Sequence, residues 1–478
     1  MTAALRATPR LTWRQRLLRL LPWHRRLALL ACCGVFSWAL SGMLHPLMSV
    51  LQPKPATFMP PAQALQLDQL QAPGPLLLQA GIQQVQALRL LLLDDQPYYQ
   101  VRLAGQTTPR YWHARTGLEQ ALAARHAERL AGHYLASAEP LHYAGQVTAF
   151  SSEYAFINRL LPAARVDSQR GDGLRVYLDL YQDRLGSLVD NRKAGFSALF
   201  LWLHSFHWLD FAGPLRPALM LLLLASSAAA VGLGLSSFVA RRQARTRLRR
   251  WHGRAGMLLA LSTLAFVASG AWHVLHKLTA APPAAPFSAE FASADLSSTP
   301  QSAWLEPGEE LHRLSLLQLD GQPVWRLQGL RNGQIPSLRY LGVDGQALDE
   351  QAPRRYAEQR VAHYASPLGL GQPVSISLQR QFDHDYGFVF KHLPVLKASY
   401  ADAQHSAVFI DPLDGALAAR IDDRDRAEGF SFAYLHKWEW LSGLGKTVKD
   451  SAISLAALAH LLLVVGGVWL WRQRRKRQ

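Results

Sequence analysis

The feature that most constrains this chain is a signature that occurs twice, 228 residues apart. Trp23-His24-x-Arg26 is followed by Ser41-Gly42-x-x-His45, and Trp251-His252-x-Arg254 is followed by Ser269-Gly270-x-x-His273. The stretch between each pair of histidines is apolar. Twenty-one residues of helix rise roughly 31 Å, close to the thickness of a bilayer's hydrocarbon core. Each pair of histidines therefore marks the two faces of a membrane. At 100° per residue the second imidazole lies only about 60° from the first, so both can face one bundle interior. Imidazoles facing inward from neighbouring helices are suited to holding a metal cofactor.

Four apolar runs carry no acidic or basic side chain: Leu27 to Leu44, Pro217 to Ala240, Ala255 to Leu275 and Ala452 to Trp471. They predict spanning helices over residues 27–50, 215–240, 255–276 and 451–471. Four spans put both termini on one side. The net charge of +17 is compatible with nucleic-acid binding, so its distribution decides. The segments 1–26, 241–254 and 472–478 hold 19 of the 51 basic residues and none of the 34 acidic ones, which leaves the remainder at −2. All three clusters adjoin span ends that share one face in an alternating topology. The positive-inside rule then accounts for the excess and places both termini in the cytoplasm. No interleaving of basic and aromatic residues marks a nucleic-acid groove, so no nucleic-acid partner is expected.

Cys32 and Cys33 are the only cysteines, and as neighbours inside the first span they read as small apolar side chains. The segments outside the membrane thus contain no disulfide and no thiolate metal site. A basic start before an apolar run also resembles a signal peptide. No small-residue cleavage site follows Leu44, however, and the same motif returns at residue 251, so retained helices are expected.

The repeat continues at an offset of 232: Leu203-His204 with Trp208-Leu209 matches Leu435-His436 with Trp440-Leu441, and Phe150, Tyr154, Val176 and Asp179 match Phe382, Tyr386, Val408 and Asp411. Tandem duplication is the economical explanation. Each half reads as a span, an exported domain, an interfacial helix, a second span and a basic segment. The exported domains are expected over 53–191 and 281–425, with Ala280 to Pro300 as a linker. Arg115 to Gly132 and Tyr356 to Ala365 look helical, whereas Leu174 to Tyr181 and Ala407 to Ile410 look like strands. Asn332-Gly333, Asp344-Gly345 and Asp414-Gly415 are hairpin dipeptides. Residues 196–209 and 429–441 are too short to span and are expected to lie at the outer interface.

The basic start, the histidine heading the first span, the exported α/β domain and the Leu-His near the next span together resemble the PepSY-associated transmembrane proteins over nearly the whole chain. Within that group the chain is similar to the haem-containing ferric-siderophore reductases of bacterial inner membranes. The resemblance implies an α-helical membrane protein of four spanning helices in two tandem-duplicated halves, carrying two periplasmic α+β PepSY-like domains. It further implies bound haem b and transfer of electrons to iron held by siderophores.

A haem iron takes two axial imidazoles from facing helices. Ligands 31 Å apart on one helix cannot share an iron, so at least two haems are expected. His24 and His252 form the cytoplasmic-side pair. Outside, His45 and His273, or either of these with His204 or His436, are alternatives. The family's recurring histidines match His24, His204, His252 and His436. For any single interfacial histidine, headgroup anchoring is the competing role, and a structural role for His45 and His273 stays open.

His207 and His276 have no counterpart in the other half, and His460 lies at mid-membrane, where it is either a ligand of a third haem or, as favoured, a hydrogen bond between helices. Gly42 and Gly270, one turn before a histidine, would admit a flat macrocycle or simply close helix packing. Tryptophans near span ends read as an interfacial belt. The segment Phe382 to His392 reads as a solvated hairpin face, with contact to a ferric ligand as the alternative. Walker, His-Glu-x-x-His, Gly-x-Ser-x-Gly and Cys-x-x-Cys motifs are missing, so the donor is expected to be quinol or a separate cytoplasmic partner. The rival reading is a haem-free, membrane-anchored PepSY module that binds a peptide or protease, or a scaffold subunit of an iron-uptake complex.

Overall fold

The chain's architecture is given by a computed structural model that describes residues 12–240, 246–280, 284–387, 390 and 393–476. The Arg241–Arg245 part of the basic loop, the start of the linker at 281–283, His392 and the final two residues of the basic tail lie outside the described residues. Two compact units form, one from Met1–Leu51, Gly195–Pro282 and Arg424–Gln478, the other from Gln52–Ala194 and Pro283–Asp423.

The first unit is helical. Four of its helices are long and apolar enough to cross a membrane: Leu21–Leu51 (preceded by a short helix from Trp13), Leu215–Ala240, Arg247–Thr279 and Lys446–Arg475. They pack as a ring in which the first and third each touch the second and fourth. Their outer faces leave large apolar side chains uncovered, Leu258 and Leu261 being 82% and 80% exposed. Such faces suit a lipid environment rather than water, so the chain is a membrane protein. Helix extends past the apolar runs at both ends. Thr246 caps the third span by accepting from the Arg249 amide, so residues 247–254, expected in a loop, are its first two turns.

The two segments expected at the outer interface are broken rather than single helices. Asn191–His204 is α-helical, starting on the Asp190 carboxylate that accepts from the Lys193 amide at 2.7 Å. Phe206, with φ of 50°, stops it, and a 3-10 turn follows over His207–Ala212. In the second half an α-helix over Asp423–Ser431 passes into a π turn at Phe432–His436, and Trp438, with φ of 51°, precedes a 3-10 turn at Glu439–Leu444. A bulky residue in the left-handed region is uncommon, and its recurrence at both positions ties the two halves together.

The second unit is α+β. Its largest sheet has seven antiparallel strands in the order Ile335–Gly342, Gln322–Arg331, Glu309–Leu319, Ala87–Leu93, Gln96–Arg102, Arg110–His113 and Glu119–Gln120. The two parts of this unit, 52–194 and 283–423, therefore share one sheet, joined where Leu90 faces Leu314 and Arg89 faces Ser315. Beneath it lies a core drawn from both segments, including Tyr99, Trp112, Leu314, Trp325 and Leu327. Each segment also builds a four-stranded antiparallel sheet covered by one helix, Ala123–Leu135 in the first and Ala352–Ala365 in the second. Asn332-Gly333 makes the expected hairpin turn with both residues at positive φ. Arg115 to Leu122 is not helical: the His113 Nδ1 accepts from the Arg115 and Thr116 amides, and Gly117 at φ of 76° turns the chain into a short strand.

Candidate functional site

At one end of the helical unit, His24 sits in the first turn of its span and its Nδ1 lies 2.9 Å from the Ala230 carbonyl of the second span. A carbonyl only accepts, so Nδ1 carries the hydrogen and Nε2 the lone pair of the neutral ring. Gly234, one turn further along, faces the imidazole so closely that a β-carbon there would stand 3.1 Å from His24 Cε1. The third and fourth spans repeat the arrangement. His252 faces the Leu463 carbonyl without closing a well-formed hydrogen bond, and a β-carbon on Gly467 would stand 3.2 Å from His252 Cε1. His24 and His252 are near enough for a charge on one to act on the other.

At the other end four imidazoles converge. Charges on His436, His45 and His273 all act on His204, and His273 and His45 act on His436. The ring centres of His204 and His436 are 6.0 Å apart with their planes nearly perpendicular at 82°. His204 Nδ1 is 2.9 Å from Ser41 Oγ, and His436 Nδ1 is 3.1 Å from Ser269 Oγ. Ser41 Oγ donates its single hydrogen to the Ser37 or Trp38 carbonyl, and Ser269 Oγ donates to the Phe266 carbonyl. With its hydrogen on a carbonyl, each hydroxyl accepts from the imidazole, and Nε2 then carries the lone pair. Phe200 stacks on His204 at 4.7 Å and Phe432 on His436 at 4.8 Å, which holds both rings in place. The Trp38 indole donates to the His204 carbonyl and Ser37 Oγ to the Leu203 carbonyl, capping two open carbonyls of the interfacial helix.

His45 and His273 flank this pair. His273 Nδ1 lies 2.5 Å from Glu428 and its ring stacks on Phe432 at 4.9 Å, whereas the His45 ring lies 6.0 Å from Phe200. Burial raises the Glu428 carboxyl, but the hydrogen bond from His273 and the nearby His276 and Lys277 hold it below its usual range. His276 is paired with Asp425 at 2.9 Å and His207 with Asp210 at 2.6 Å. His460 uses both nitrogens, Nδ1 at 2.7 Å from the Ala456 carbonyl and Nε2 at 2.9 Å from Thr263 Oγ1, and so joins the third and fourth spans by a hydrogen bond.

Gly42 and Gly270 do not open space beside a histidine. Gly42 has no neighbour within 4 Å of where its β-carbon would be, and Gly270 meets only Leu224. The glycines against imidazoles are Gly234 and Gly467, on the partner spans, and only their position opposite His24 and His252 could have marked them in the sequence. Phe382 and His384 are exposed, while Phe390 and Phe409 pack around the fully buried Tyr386, so the segment keeps a solvated face at Phe382 and His384 and anchors itself in the core through Tyr386.

Among the described residues no group of three or more His, Cys, Asp or Glu side chains is placed to hold a metal ion unaided. A haem asks less of the protein, because the macrocycle supplies four of the ligands and two imidazoles complete the set. Two rings on one metal with nitrogen–metal bonds of about 2.0 Å have centres roughly 6 Å apart. The separation of His204 and His436 fits that demand, with each Nδ1 taken by a serine hydroxyl. No protein-family profile matches the chain, and no curated protein is similar enough to count as a relative.

Proposed function

We propose that the chain is a b-haem electron-transfer protein of a bacterial inner membrane that reduces ferric siderophores or other ferric chelates in the periplasm. In this reading both termini are cytoplasmic, the α+β unit comprises two PepSY-like halves, and electrons arrive from quinol or a cytoplasmic partner. The observation that carries it is the His204–His436 pair, 6.0 Å apart, with each Nδ1 held by a serine of a different span. A helix on a four-stranded antiparallel sheet, built once in each exported segment, supports the PepSY likeness.

His24 and His252 would hold the inner haem, and His204 and His436 the outer one, with His45 and His273 as the flanking alternatives. A haem bound by two neutral imidazoles supplies one-electron chemistry, its iron alternating between ferric and ferrous. The chain's own part is to keep each Nε2 deprotonated and aimed. The Ala230 carbonyl does this for His24, and the Ser41 and Ser269 hydroxyls do it for His204 and His436. Leu203 and Phe206, both over nine-tenths buried, exclude water around His204. No proton-transfer catalyst is required.

The test is to reduce the purified full-length protein with dithionite, remove the excess and mix it with a ferric hydroxamate chelate. Reoxidation of a haem spectrum together with formation of ferrous iron, trapped by a ferrous-specific chelator, is the expected result. A protein that binds haem but is not reoxidised by any ferric chelate would contradict the reductase assignment.

A further inference from the structure

The second unit holds a feature that electron transfer does not use. A row of polar side chains crosses its seven-stranded sheet, from Tyr111 through Gln100, Arg89, Ser315 and Arg326 to Tyr340, each opposite the next on neighbouring strands. Over this row and beside it lies a cavity of about 70 Å³ whose lining residues include four arginines, Arg89, Arg102, Arg313 and Arg326. One water needs about 10–15 Å³ of such space, so the cavity has room for several waters or one small ion.

The four cations are unequally matched. Arg89 pairs with Asp183, and its Nε donates to Gln100 Oε1 at 2.5 Å. Arg326 is 1% exposed; its Nη groups reach the Pro412 and Leu413 carbonyls, which are neutral, and its Nε has no partner. Arg313 reaches the Tyr181 carbonyl and Gln182 Oε1, and its Nε too has none. Arg102 lies over the Tyr181 ring at 5.0 Å with an unpartnered Nε, and the Tyr181 hydroxyl is likewise buried and unpartnered. Asp414 is the one carboxylate on the lining, and its Oδ1 already accepts from the Ala416 amide at 2.8 Å. Burial and the neighbouring Arg89 push the Arg313 guanidinium down to about 9, so it remains a cation at neutral pH.

Four cations against Asp183, Asp414 and the neighbouring Asp179 still leave a surplus of positive charge. Desolvated cations short of counter-charge, and buried donors without acceptors, destabilise a fold and are retained where something else completes them. An oxyanion supplies several acceptor atoms and the missing charge in one small body, and guanidinium forks match carboxylate and phosphate oxygens. We propose that this cavity binds a small oxyanion of the carboxylate or phosphate class. The donors that contact it are Arg102, Arg313, Arg326 and Tyr181. The inference stands on the second unit alone and does not depend on haem.

The test uses the full-length protein in detergent, titrated with sodium phosphate, sodium acetate or sodium citrate against sodium chloride of equal ionic strength, with binding heat and thermal unfolding as readouts. At least one oxyanion is expected to bind saturably and raise the unfolding temperature. A response to phosphate alone identifies the phosphate class, and a response to acetate or citrate the carboxylate class. Arg313→Gln and Arg102→Gln are each expected to weaken that affinity about tenfold or more, the effect of losing a charge-assisted hydrogen bond. Arg102 is half-buried and, unlike Arg313, spans no hydrogen bonds to Tyr181 and Gln182, so its replacement is expected to leave the fold intact even where a change at Arg313 does not. No saturable response to any oxyanion would overturn the proposal. So would an equal response in wild type and both variants, because general salting stabilises regardless of the cavity.

Discussion

The imidazoles of His204 and His436, 232 residues apart in sequence, come within 6.0 Å of each other between ring centres. Each reaches its place on an interrupted interfacial helix, and each is held through Nδ1 by a serine of the span beside it. The same three parts, a stacked phenylalanine, an imidazole and a serine acceptor, recur in both halves. Two such units facing one another bring one imidazole from each half together.

The serines can be tested directly. Ser41→Ala and Ser269→Ala each remove the hydroxyl that engages an Nδ1. The expected cost in stability is only about 1 kcal/mol. The outer haem should respond far more, with about 10–100-fold weaker retention or a shifted midpoint potential, because such partners orient the ligand. Pyridine haemochrome content and a redox titration of each variant check this, and the inner haem should not change.

Glycine substitutions separate the two ends. Gly234→Val and Gly467→Val place carbon against His24 and His252, where even a β-carbon would stand 3.1 and 3.2 Å from Cε1. Both are expected to displace the inner imidazoles and lose that haem while the outer one stays. Gly42→Ala, with open space at its β-carbon, should leave both haems at wild-type level. Haem content and the low-temperature spectrum of the three variants provide the comparison.

His460 gives a contrasting outcome. Both of its nitrogens are engaged between the third and fourth spans, so His460→Leu should keep the full haem complement. Hydrogen bonds between membrane helices average about 0.6 kcal/mol, and a small loss of resistance to unfolding in detergent is expected. Loss of haem from this variant would instead assign it as a ligand.

The second unit has a defined acid sensitivity. Burial raises the Asp183 carboxyl, but the Arg89 charge and the hydrogen bonds from Arg89 and His126 outweigh it and hold the group far below the ordinary carboxylate range. A depressed folded value contributes stability that is complete above the unfolded value of about 3.9 and is lost as the pH falls below it. Asp183→Asn should therefore destabilise the unit by about 3–5 kcal/mol at pH 7, since it leaves Arg89, with a side chain 7% exposed, as an uncompensated buried cation. Calorimetric unfolding of wild type and variant should converge as the pH drops below about 4.

The spans were readable because an apolar run without charges has few alternatives, yet their ends were not. Helical hydrogen bonding continues through Arg247 to Arg254 once Thr246 caps it, whatever the side chains' hydropathy. The paired histidines were visible as repeats. Their anchors were less so: Ser41 and Ser269 stand in the repeated motif, but nothing local says that their hydroxyls point to a residue more than 160 positions away. The single seven-stranded sheet was hidden for a similar reason. Its joining pair, Leu90 with Leu314, is a long-range contact between two otherwise ordinary strands. Arg115 misled because its helix-favouring neighbours were outweighed by the turn at Gly117.

The central claim is that paired histidines at the two ends of the helical ring each hold a haem. It is met most directly by the reduced-minus-oxidised visible spectrum of the full-length protein, purified after expression with added haem. The account predicts a Soret band and sharp α bands from two low-spin haems. His24→Ala and His252→Ala should remove one and the same haem fraction, and His204→Ala and His436→Ala the other. A protein without a Soret band under those conditions, or unequal losses within either pair, would contradict it.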